Sequence, residues 1–122
     1  MATHLSLRGW ASAEQLTQIA KDYRAAVELI DKQGWAKVMT DGERDGGPVC
    51  AARALGIICG VKDWKDFAGR ITLAMSACYR VTGLLIHQVN DKCQKWEDLK
   101  SILTGIADDC DHAALVTGTL NA

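Results

Sequence analysis

The chain has 122 residues, 48% of them apolar, and its 14 Lys and Arg against 15 Asp and Glu give a formal net charge of −1. That length fits one domain, which hides roughly 65–70% of its unfolded surface on folding. The charge balance leaves no broad basic face for a nucleic-acid backbone and is far too mild for an acidic DNA mimic, and one proline with little apolar–polar alternation disfavours a sandwich or barrel.

Residues 1–11 read as an arm whose one large anchor is Trp10. Ser12 and Gln15 have the spacing of a capping box. Leu16, Ile19, Ala20, Tyr23, Ala26, Val27 and Ile30 then recur at steps of three and four, an apolar stripe that predicts a helix over 13–33. Gly34 suits a left-handed helix end, and Trp35 to Met39 are expected to pack back on this helix. The run from Asp41 to Pro48 reads as a loop, because three glycines, several charges and a proline break regular structure. Val49 to Cys59 is apolar apart from Arg53, which predicts a helix central to the fold, with Pro48 in its first turn and Gly60 at its end.

Asp63 is expected to start the next helix, with Phe67, Ile71, Ala74, Cys78 and Val81 as its buried stripe and Gly83 after it. Leu84 to Val89 reads as one or two helical turns closed by Asn90 and Asp91. Trp96, Leu99, Leu103 and Ile106 mark the last helix, and Ala113 to Ala122 are expected to add a short turn or stay mobile. These elements together predict an all-α, compact single-domain bundle of about five helices.

The five cysteines are spaced by 9, 19, 15 and 17 residues, which matches neither a zinc site nor a Cys-x-x-Cys motif. Cys50 and Cys59 share a predicted helix and would lie roughly 13 Å apart along it, too far to bridge. Met1 to Trp10 lacks a secretory pattern. The expectation is free thiols in a reducing cytoplasm, no metal, no cofactor and no membrane span.

Arg53 is the clearest anomaly, a guanidinium in an apolar helix. It is either an anion- or partner-binding arginine, or a stem that snorkels or pairs with Asp41, Glu43, Asp45 or Asp91. Together with Asp45, Asn90 and Asp91 it forms the candidate anion or ion-pair site. Asp45-Gly46-Gly47 before a helix could cradle an anion but lacks the Gly-Lys-Ser/Thr end of a phosphate loop. Asp108-Asp109-Cys110-Asp111-His112 points in different directions along a helix, so it reads as a solvated, frayed end rather than a metal cage. His87 has no second histidine nearby, and a catalytic Cys–His pair has less in its favour than an inert buried thiol. No catalytic residue is assigned. All four tryptophans fall at or near predicted element ends, where most complete a core rim. Trp10, outside the stripes, and Trp64, beside Lys62, Lys65 and Asp66, are the candidate partner-binding residues.

The order Gly34-Trp35, Asp45-Gly46, Cys50 with Ala54-Leu55, Asn90-Asp91, then Trp96-Glu97-Asp98-Leu99 resembles a small helical domain family of actinobacteria and their phages. That family's pattern runs Gly-Trp, a glycine loop, Cys-x-x-Gly-Ala-Leu, Trp-Asn-Asp, then a helix beginning near a glutamate. The resemblance spans about residues 16–107, and the chain departs from it at Arg53 and Val89. It implies a helical domain of mobile elements with no assigned catalytic residue.

The expectation drawn from all this is a non-enzymatic, protein-binding domain, an accessory protein of a phage or mobile element that inhibits or redirects a host factor. Its partner would be another protein or a second copy in a homodimer. One alternative is a small enzyme or ligand-binding domain using Arg53, the 41–47 loop and Asn90-Asp91. Another is a DNA-binding regulator, for which Arg70 and Arg80 supply too little basic character.

Overall fold

The computed structural model describes residues 6–7, 9–37, 46–61 and 69–120. Among them the chain forms five helices: α1 (Ala13–Gln33), α2 (Ala51–Ile58), α3 (Arg70–Thr82), α4 (Ile86–Lys92) and α5 (Trp96–Leu120). The only strand-like feature among these residues is an isolated parallel bridge between Trp35 and Val49. The fold is all-α, as the periodicity predicts.

Helix α1 begins at the capping box. Ser12 N–H donates to Gln15 Oε1 at 2.9 Å, and Gln15 N–H donates to Ser12 Oγ at 3.0 Å. Every residue of the expected stripe, from Leu16 to Ile30, is buried. Gly34 ends the helix at φ 98°, ψ 155°, an extended left-handed geometry open to glycine rather than the αL cap expected. Trp35 is half-buried and packs against the core, while Val38 and Met39 lie outside the described residues. The chain turns into the bridge, with Val49 N–H to Gly34 O and Ala36 N–H to Val49 O, both 3.0 Å.

Helix α5 runs antiparallel beside α1 and is its most extensive neighbour. The pairing is fixed along its length by Asp31 with Lys100 at 2.8 Å, and by Arg24 with Asp108 at 2.9 Å and Asp111 at 2.7 Å. At the far end, a Cβ on Gly118 would meet Ala13 Cβ at 3.9 Å. The expected short turn or mobile tail after Ala113 is therefore corrected: the last helix continues to Leu120. The apolar stripe does not stop at Ile106. Cys110, Ala113 and Ala114 are buried in register with it, but small residues and an acidic outer face hide that period in the sequence. The Asp108–His112 segment is likewise not a frayed end. Cys110 faces the core while Asp108 and Asp111 hold Arg24.

Helix α2 crosses α1 with its alanines inward. Ala51, Ala52, Ala54 and Leu55 are buried, and small side chains allow close approach. Its surroundings are not apolar on every side, since Ile57 is 44% exposed. The helix starts after Cys50, whose Sγ accepts from Arg53 N–H at 3.4 Å, and Pro48 lies before that cap rather than in the first turn. Helix α3 is tied to α1 by Tyr23, whose buried hydroxyl donates to Ala74 O at 2.6 Å. Its expected start at Asp63 falls outside the described residues. It ends at Gly83, in the αL conformation at φ 77°. Leu85 N–H donates to Gln88 Oε1 at 2.9 Å to open α4, which carries Asn90 and Asp91 inside it rather than after it.

Candidate functional site

Asn90 is buried and uses its side chain in four hydrogen bonds. Its Oδ1 accepts from Trp35 Nε1 and from Ala51 N–H, each at 2.9 Å. Its Nδ2 donates to Ala36 O at 3.4 Å and Lys37 O at 2.5 Å. An asparagine amide has two donors and a carbonyl with two lone pairs, so all four capacities are taken. Lys37 Nζ adds bonds to Asp91 O at 3.0 Å and Cys93 O at 2.6 Å, closing the end of α4. This junction joins α4, the α2 start and the Trp35 bridge. It gathers Trp35, Cys50 and Asn90, scattered in sequence, around one structural point.

That geometry bears on the candidate anion site. Asn90 has no hydrogen bond left for a ligand. Asp91 is exposed, does not pair with Arg53, and enters the junction only through its backbone carbonyl. Asp41, Glu43 and Asp45 lie outside the described residues. Arg53 is half-buried on α2. The described residues thus do not assemble Arg53, Asn90 and Asp91 into one pocket.

A second polar cluster escaped sequence reasoning. Asp22 is buried in the middle of α1, at 2% exposure. Arg70 grips it with both arms, Nη2 to Oδ1 at 2.5 Å and Nε to Oδ2 at 3.3 Å. Gln18 Nε2 adds a bond to Oδ1 at 2.9 Å, and the Cys59 thiol donates to Oδ2 at 3.7 Å. Asp22 interrupts the stripe between Ile19 and Tyr23 and is flanked by Lys21 and Arg24, so the sequence reads it as outward-facing.

Four of the five thiols are held toward the neutral form. All five cysteines are free. Burial first, and then the Asp22 carboxylate, push the Cys59 thiol from its ordinary 9.0 up to about 11. Burial, with Asp109 and Asp111 adding to it, pushes Cys110 to about 12. Burial also raises Cys78 and Cys93. A catalytic cysteine needs the opposite shift. His87 is exposed, whereas Cys50, Cys78, Cys93 and Cys110 are buried. Among the described residues no group of three His, Cys, Asp or Glu side chains could hold a metal ion. Among them, too, no helix is long and apolar enough to cross a membrane.

The remaining feature is a surface at the C-terminal end of α3. Trp10 is half-buried and packs against the core. The Arg80 guanidinium lies over its ring, 4.8 Å from the centroid, and Arg80 Nη1 donates to Ser6 O at 2.9 Å. Leu7 and Ala11 are buried as well, so the described residues of this segment are held by burial as well as by Arg80. Next to Arg80 in the chain, Tyr79 is 47% exposed, and just past Gly83, Leu85 is 50% exposed. Of the two expected partner-binding tryptophans, Trp10 sits in this surface as a stacked, half-covered ring, and Trp64 lies outside the described residues. Tyr79 and Leu85 were missed. The available signal was a tyrosine off the Ile71–Ala74–Cys78–Val81 stripe, followed by Leu84-Leu85-Ile86 with no polar residue to say which leucine turns outward. The neighbouring tryptophans have other duties: Trp35 Nε1 serves Asn90, and Trp96 Nε1 donates to Asp31 Oδ1 at 2.7 Å.

No family model, curated protein or solved structure matches the chain. Among the described residues, fold and geometry define an all-α domain of five helices with two polar junctions and a cation–ring stack of Arg80 on Trp10.

Proposed function

We propose that this protein is a non-enzymatic protein-binding domain whose interface centres on the end of α3. The observation that carries this reading is the exposure of Tyr79 and Leu85, which are close in the chain to Arg80, itself stacked on Trp10. Tyrosine, tryptophan and arginine are the residue types that dominate binding energy at protein interfaces. A ring held by a cation and by core packing loses little rotamer freedom when a partner covers it. The raised thiols and the fully engaged Asn90 support a binding rather than a catalytic role. The finer identity, an accessory protein of a phage or mobile element acting on a host factor, rests on the sequence resemblance alone.

The test is affinity capture from the native host with the parent and a Tyr79→Ser/Leu85→Ser double variant as baits, each verified as folded by circular dichroism. A stoichiometric protein held by the parent and lost by the double variant is the expected result. A partner retained equally by both places the interface elsewhere. A small-molecule turnover activity in the purified parent removes the reading.

A further inference from the structure

We draw no further inference here: the strongest candidate, the side-chain cluster of Asp22, Arg70 and Cys59 where the middle of α1 meets the end of α2 and the start of α3, is closed on itself, because both Asp22 carboxylate oxygens already accept from Gln18, Arg70 and Cys59, and it leaves a lone cysteine with no second observation that points to a ligand.

Discussion

At the scale of single residues, the two polar junctions carry more weight than their size suggests. Asn90 satisfies Trp35 Nε1 and Ala51 N–H while using its own amide hydrogens on Ala36 and Lys37. Alanine there strands several buried groups at once, so Asn90→Ala should cost about 2–4 kcal/mol in urea unfolding. Asn90→Asp keeps the acceptors but turns a carboxylate toward two carbonyls, and it should also destabilise rather than rescue. Asp22 is the counterpart on α1. Removing Arg70, by Arg70→Met, leaves a buried carboxylate without its cation. Since Arg70 itself is 49% exposed and water reaches the pair, the expected loss is about 2 kcal/mol, below that for a fully buried pair. The double variant Asp22→Asn/Arg70→Met should recover part of it, because the uncompensated charge is gone.

Among the elements, the α1–α5 pair is the frame on which the others lean. Cys110, Ala113, Ala114 and Thr117 are all buried beyond the point where the sequence signal fades. Truncation after Ala107 should therefore abolish the cooperative thermal transition followed by circular dichroism, whereas truncation after Gly118 should leave it. Asp31 reports the other end of the same pair. The Lys100 ammonium, and then the Trp96 indole, hold its carboxyl below the ordinary 3.8. A depressed folded pKa contributes stability above the unfolded value and loses it as pH falls through the folded one. The advantage of the parent over Asp31→Asn should be full above about pH 4 and fade below it, as read from urea midpoints at a series of pH values. A third element, α2, depends on Leu55, which is fully buried. Leu55→Ala should cost about 2–5 kcal/mol.

For the whole molecule, the thiols set an alkaline limit. Cys59 and Cys110 rise from 9.0 to about 11 and about 12. Raised folded values mean stability that is complete below about 9 and lost as the pH climbs through the folded pKa values, because the unfolded chain releases its protons first. The urea midpoint should fall over that range, with a flatter decline in Cys59→Ser/Cys110→Ala. The same neutral thiols should alkylate slowly in the native protein at pH 8, measured with iodoacetamide against an unfolded control. A rapid stoichiometric reaction at one cysteine would show a thiolate that the fold does not predict. Charge is also a property of the whole chain here: near-neutral in sum, it is unevenly spread along the sequence, with no Asp or Glu from Met1 to Ala13 or from Phe67 to Asn90.

The sequence alone determined the helical class, the extent of α1 with its capping box, the Ile71–Ala74–Cys78 stripe of α3 and the Leu99–Leu103–Ile106 stripe of α5. Those features are local: an i, i+3, i+4 period and a Ser–Gln pair three apart can be read without knowing the neighbours. What only the tertiary structure decided was the meaning of residues whose partners lie far along the chain. Asn90 reads as a helix stop until Trp35 and Ala51, 55 and 39 residues away, are seen to donate to it. Asp22 reads as one more charge on α1 until Arg70, 48 residues on, reaches it. Asp108 and Asp111 read as fraying until Arg24 lies opposite. Trp10 reads as a free anchor until Arg80 covers its ring. A polar side chain is stable inside a fold only with a partner, and chain order does not encode which distant residue the packing will bring to it.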